Sequence, residues 1–208
     1  MIVGYHTQIK KDWTDDDLHH KLSLLPQFLQ DKILCKHQHL GIQLSVAGNL
    51  LLLKLIDHFK LNLRLDNLQY GQHQRPYFDG GFDFNISHSG NRIICCGTID
   101  SKIGVDIELM KPTGVDYDDY FTNTEQQNIR AAKNPKTEFF KYWTRKEAVL
   151  KAIGTGVCAP LLDIDVSDDE VVYQNETFHL MPIEINDDFA GYVACDVKQG
   201  VLIKKVEV

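Results

Sequence analysis

The chain has 208 residues, 43% of them hydrophobic and 25% charged, enough apolar material for one substantial core or two smaller ones packed together. A formal net charge of −7 at pH 7 excludes a protein whose main task is to neutralise the phosphates of a nucleic acid, so any anion must meet a local basic patch. The five cysteines, Cys35, Cys95, Cys96, Cys158 and Cys195, show no C-x-x-C spacing and read as reduced, mostly buried thiols. The start, MIVGYHTQIKKDW, lacks the apolar stretch of a secretory leader, and the apolar run from Leu50 to Ile56 is interrupted by Lys54. No stretch approaching bilayer-spanning length, and a cytoplasmic location, are therefore expected.

In chain order, Ile2 to Ile9 reads as a short strand, and Thr14 with Asp15, Asp16 and Asp17 supplies an N-cap and acidic first turn for a helix. Pro26 opens a second helix. From His37 to Phe59, Leu40, Leu44, Ala47, Leu51, Leu55 and Phe59 recur at helical spacing and predict a long helix with one buried face. Alternation in NLRLDNLQY and the β-branched or aromatic residues of FDFNISHS and RIICCGTI predict strands, followed by KIGVDIEL. Beyond Pro112 the pattern turns helical, with Thr124 and Glu125 opening one helix and Thr137 a second that runs to about Ile153. Leu161 to Val208 carries the short alternating runs of antiparallel strands. Helices then strands, twice over, indicate an α+β protein of two similar halves, residues 1–101 and 102–208.

Four segments carry chemistry. In GVDIE, Asp106 and Glu108 sit two apart, so on a strand both carboxylates face one side while Val105 and Ile107 enter the core. That geometry suits a hard divalent cation such as magnesium, which keeps positions for water or substrate phosphates. It also describes an ordinary half-exposed strand. In FFKYWTRKEAVLKAIGTG, Trp143, Glu147 and Lys151 fall at four-residue intervals on one helical face. The bland alternative is a helical salt bridge beside a core tryptophan; the functional one makes Glu147 a third carboxylate, with Lys151 against a phosphate oxygen and Gly154 and Gly156 easing the turn that follows. In FNISHSG, Ser87, His88 and Ser89 offer several donors to an anion, or merely stabilise a turn. Adjacent strand residues point apart and no G-x-S-x-G elbow is present, which argues against a nucleophilic triad. In QRPYF, Arg75 precedes a stiffening proline and offers a permanent charge, though a lone arginine is usually solvated.

Together and in this order, QRPYF, FNISHSG, KIGVDIE and WTRKEAVLKAIGTG resemble the signature of the Sfp-type 4′-phosphopantetheinyl transferase family, from Arg75 to Gly156. The resemblance implies a 4′-phosphopantetheinyl transferase fold, two α+β subdomains related by pseudo-twofold symmetry with the site between them, the second carrying the metal. It implies transfer of the 4′-phosphopantetheine moiety of coenzyme A to a serine of an apo acyl, peptidyl or aryl carrier protein, releasing 3′,5′-ADP with Mg2+. Asp106, Glu108 and Glu147 would bind the metal, Lys151 the pyrophosphate, Ser87 and His88 the nucleotide phosphates, and Arg75 the 3′-phosphate and adenine. Glu147 and Lys151 would be catalytic, with Glu147 or a metal-bound water taking the serine proton. A monomer with no nucleic-acid or membrane partner is expected. Residues 29–45 contain Lys32 and Lys36 but no arginine, where family members often carry a more basic stretch. The segment from Asp116 to Arg130 is a further candidate for carrier contact or for core. Two rival readings are a non-catalytic module that binds carrier protein or nucleotide, and a magnesium-dependent nucleotide phosphohydrolase.

Overall fold

A computed structural model describes residues 1–71, 73–111, 119–155 and 160–208. The chain opens with β1 (Ile2–Gln8), then α1 (Asp15–Ser23), α2 (Gln27–Leu34) and α3 (His39–His58). The short β2 (Gln69–Tyr70) and β3 (Pro76–Tyr77) precede a long hairpin of β4 (Phe82–Ser89) and β5 (Arg92–Ile99). A second series runs β6 (Ile103–Leu109), α4 (Asn123–Ala131), α5 (Pro135–Ile153), β7 (Glu170–Tyr173), β8 (Glu176–Pro182) and β9 (Phe189–Cys195), before β10 (Val201–Lys205).

Helix starts follow their caps. Thr14 and Asp17 form a capping box at α1, satisfying two N–H groups that the helix itself cannot. The equivalent box at α4 joins Thr122 to Glu125 rather than opening at Thr124, because Glu125 lies at the third helical position only if Thr122 is the cap. NLRLDNLQY is mostly not the expected strand. Leu65 and Leu68, three apart, are the buried leucines, a period that suits the 3-10 turn observed at Leu65–Asn67. Pairing is confined to Gln69 and Tyr70.

One four-stranded sheet has the order β10-β1-β5-β4 and the other β6-β9-β8-β7. In each, the strand that opens the series lies antiparallel to the strand that closes it, which in turn pairs antiparallel with its hairpin partner. The last strand departs from the expected antiparallel pattern: β10 pairs with β1 in parallel, from Ile2 opposite Val201 to His6 opposite Lys205. A parallel pair needs a long crossover, and here residues 9–200 lie between the two strands. The first sheet is thus built from residues 2–99 and 201–205, a return that the division at residue 101 did not include.

Three apolar clusters hold these layers. The first lies between α3 and the first sheet, with Leu51, Leu55, Phe84 and Cys95 fully buried. The second lies between α5 and the second sheet, around Val149, Phe178 and Ala194. A third joins the sheets' other faces through Ile94, Val105, Ile107 and Val193. Full burial of each large aliphatic side chain contributes about 1.5–3 kcal/mol. By length and composition alone, α3 is long and apolar enough to cross a membrane, against the sequence expectation; in the fold it buries ten residues. Of the described cysteines, Cys95, Cys96 and Cys195 are buried and Cys35 is exposed, all as free thiols; Cys158 lies outside the described residues.

A buried ion pair fixes α5 to α4. Lys146 and Glu125 are both fully buried, 2.7 Å apart. The ammonium also donates to the carbonyls of Leu161 at 2.8 Å and Ile164 at 2.5 Å, which uses all three of its protons. Glu125 accepts in turn from the N–H groups of Thr122 and Val166.

Candidate active site

The free edge of β6 runs along β4, and side chains of β4 replace the missing backbone pairing. Asp83 accepts the N–H of Ile103 at 2.9 Å, Asn85 that of Val105 at 3.0 Å, Ser87 that of Ile107 at 3.3 Å and Ser89 that of Leu109 at 3.0 Å. Every rung joins residue i to residue i+20, so the strands run in the same direction in one fixed register. Alternation on β4 explains the set: Phe82, Phe84 and Ile86 face the α3 core, and the four polar residues between and beyond them face β6.

Two rungs also reach carboxylates. Ser87 donates to Asp106 Oδ1 at 2.8 Å, and Ser89 donates to Glu108 Oε2. Helix α5 closes the site from the other half. Gly104 admits it, because a Cβ there would overlap the carbonyl oxygen of Ala148 and the backbone nitrogen of Ala152. With the helix seated so closely, Lys151 donates to Asp106 Oδ1 at 2.5 Å and to Ser87 Oγ at 3.0 Å. Glu147, one turn earlier, lies near enough for its carboxyl to feel those of Asp106 and Glu108.

All three carboxyls hold their protons more tightly than usual. For Asp106, whose side chain is only 4% exposed, burial is the main cause, opposed by Lys151 and by its hydrogen bonds. For Glu108 burial leads again, opposed by Ser89 and reinforced by the charge of Asp106. For Glu147 burial is followed by repulsion from Asp106, with Lys151 opposing and Glu108 adding to it. Among the described residues, no three His, Cys, Asp or Glu side chains form a ready-made metal-binding group. The donors nevertheless fit a hard cation. Asp106 Oδ2 and Glu147 Oε1 are buried without a hydrogen-bond partner, a loss of about 1–3 kcal/mol each that a cation would relieve. Magnesium is commonly held by few protein carboxylates, with water or phosphate in its remaining positions.

The other expected residues are placed differently from one another. Ser87 is buried in the seam, its hydroxyl shared among Asp106, Ile107 and Lys151. His88 faces away from it at the surface; its imidazole is held below its ordinary pKa by partial desolvation first, then by the ammonium groups of Lys36 and Lys151. Lys36 thus lies within electrostatic reach of His88, a proximity that no spacing in the sequence shows. Arg75 stands at the far end of the seam. It forms an ion pair with Asp83 at 2.8 Å and donates to the carbonyls of Ile103 at 2.7 Å and Ala152 at 3.4 Å. Its side chain lies over Gly154, the left-handed cap of α5 at φ 83°. Gly156 lies outside the described residues.

Trp143 takes the core role that the helix pattern allowed, stacking on Phe139 and meeting Tyr120 edge to face. In the segment weighed as a carrier contact, Phe121 and Ile129 are buried, while Asp116 and Tyr117 lie outside the described residues. Sequence reasoning did not single out Asp83 and Asn85 or the role of Ser89. The alternation of polar residues in FDFNISHS was the available signal, and it becomes readable only once β6 is known to lie alongside.

Residues 102–195 match the family model described as the 4′-phosphopantetheinyl transferase superfamily. A 4′-phosphopantetheinyl transferase of Bacillus subtilis is 41% identical over 100 residues, covering 45% of this chain and 42% of the relative. The 4′-phosphopantetheinyl transferase Sfp of Bacillus subtilis strain 168 is 36% identical over 106 residues, covering 49% and 46%. The 4′-phosphopantetheinyl transferase gsp of Aneurinibacillus migulanus is 26% identical over 156 residues, covering 71% and 65%. The chain spans less than two thirds of the length of each of these relatives. The matched region contains Asp106, Glu108, Glu147 and Lys151, the residues brought together beside β4, so the part of the chain that carries the site is similar to the 4′-phosphopantetheinyl transferase superfamily and to these relatives.

Proposed function

We propose that this chain transfers the 4′-phosphopantetheine moiety of coenzyme A to a serine hydroxyl of an apo carrier protein, releasing 3′,5′-ADP in a magnesium-dependent reaction. The observation that carries the reading is the convergence of Asp106, Glu108, Glu147 and Lys151 on one seam, with two buried carboxylate oxygens left without partners.

Asp106, Glu108 and Glu147 are the residues that would hold Mg2+. The ion would supply positive charge to the pyrophosphate oxygens of coenzyme A. Lys151 places a second positive charge on the same side, able to stabilise the negative charge that builds on phosphoryl oxygens as the serine oxygen attacks the β-phosphorus. The bond to the serine oxygen forms as the bond to the leaving 3′,5′-ADP breaks. Glu147 or a water at the ion would accept the serine proton. His88 would approach the nucleotide phosphates, with the charge of Lys36 beside it. Arg75 would join them at the 3′-phosphate only by giving up its pairing with Asp83.

The matched pairing of β1-β5-β4 and β6-β9-β8 supports a pseudo-twofold relation between the halves. Because β4 comes from one half and β6 and α5 from the other, one polypeptide supplies both sides of the site, and action as a cytoplasmic monomer belongs to the same proposal. The test is chromatographic measurement of 3′,5′-ADP release from coenzyme A with Mg2+, with and without an apo carrier protein. Release that requires the carrier and its serine supports transfer. Release without carrier would replace transfer by hydrolysis.

A further inference from the structure

We infer that Ser89 is a positioning residue that aims Glu108 into the carboxylate cluster, with the β4–β6 seam serving as the rail that sets its place. This rests on the proposed metal-dependent reading and assigns a role to a residue on the opposite side of the seam from the three carboxylates of the cluster.

The four rungs divide into two kinds. Asp83 and Asn85 each accept an N–H of β6 and touch no carboxylate of the cluster. Ser87 and Ser89 do two things with one hydroxyl: the oxygen accepts an N–H of β6 and the proton goes to the carboxylate one residue earlier on that strand, Asp106 or Glu108. Because the oxygen is already fixed by the N–H of Ile107 or Leu109, the hydroxyl proton has one useful direction left. Ser87 shares its task with Lys151, which also grips Asp106. Among the described residues Lys151 reaches Glu108 only through its charge, and Ser89 is the side chain that hydrogen-bonds it. A free glutamate has several rotamers, and fixing one in advance removes that ordering from the cost of binding a cation. A side chain that hydrogen-bonds a ligating group from behind typically changes metal affinity by about 10–100-fold when removed.

The experiment compares Ser89→Ala, Ser89→Thr and Asn85→Ala with the native chain. Asn85→Ala is the seam control, since it removes a rung that orients no carboxylate. Binding of Mn2+ without coenzyme A is followed by electron paramagnetic resonance of the free ion. In parallel, the Mg2+ concentration for half-maximal transfer and the melting temperature are measured. Ser89→Ala is expected to weaken Mn2+ binding about tenfold or more and to raise the Mg2+ requirement in step, with most of kcat recovered at saturating Mg2+. Ser89→Thr, which keeps the hydroxyl, is expected to restore affinity, and Asn85→Ala to lower the melting temperature without that change in affinity. Unchanged Mn2+ binding in Ser89→Ala, or an equal loss in Asn85→Ala, overturns the positioning role and leaves Ser89 as one more rung. A native chain that binds no Mn2+ and needs no Mg2+ overturns the metal reading itself, a result distinct from either.

Discussion

Replacing Glu125 by alanine would leave the Lys146 ammonium fully buried without its paired carboxylate, with only the longer-range charge of Asp165 to oppose it. It would keep the carbonyls of Leu161 and Ile164 as acceptors, and the N–H groups of Thr122 and Val166 would lose theirs. Breaking a buried pair from one side is expected to lower stability by about 3–5 kcal/mol, because an uncompensated charge remains. In a chain of this length each kcal/mol moves the melting temperature by about 2–4 °C, so the expected fall is about 6–20 °C. The double variant Glu125→Leu with Lys146→Met removes both charges and is expected to lose less than Glu125→Ala alone. Urea and thermal unfolding followed by circular dichroism measure both, and fluorescence of Trp143 on α5 reports the same half locally. A fall below about 3 °C for Glu125→Ala, equivalent to roughly 1 kcal/mol, would refute the assignment of the pair as the tie between α4, α5 and the 161–166 segment.

Gly104→Ala forces α5 away from β6 and so separates Lys151 and Glu147 from Asp106; a displacement near 1 Å is expected to lower transfer about a hundredfold, measured as initial rate on protein shown to be folded. Because Glu147 has a raised pKa in the fold, it adds stability at low pH that is lost as pH rises from its ordinary 4.5 through the raised value. Glu147→Gln is therefore expected to melt higher than the native chain at neutral pH without added metal, with the gain vanishing in acid. The same raised proton affinities compete with the cation, so Mg2+ binding is expected to weaken on the acid side at a pH above the ordinary carboxylate range, checked by the Mg2+ requirement as a function of pH. Arg75→Ala removes a charged partner from Asp83 and from two backbone carbonyls, and is expected to lower stability by about 1.5–3 kcal/mol. A rise in KM for coenzyme A with unchanged unfolding would instead place its guanidinium on the cofactor.

The parts of this molecule that were legible in its sequence are those decided locally. The capping residues, the apolar face of α3 and the strands FDFNISHS, RIICCGTI and KIGVDIEL depend on neighbours within a few positions, and spacing alone brought Asp106 and Glu108 to one side of a strand. What the sequence left hidden depends on partners far along the chain. The parallel pairing of β10 with β1 is set by where the second sheet releases the chain, and the ladder from β4 to β6 exists only because the two edges meet. Lys36 gains its influence on His88 from the packing of the first half, not from any motif. Arg75 illustrates the reverse: its place before Pro76 reads as a free charge, yet the fold engages it with Asp83 and the end of α5.

Transfer itself is tested by the intact mass of an apo carrier protein after incubation with coenzyme A, Mg2+ and this chain, beside a variant carrying Asp106→Ala and Glu147→Ala. The expected result is a gain of one phosphopantetheine with the native chain and none with the variant. No gain on acyl, peptidyl or aryl carriers, with coenzyme A left intact, would contradict it.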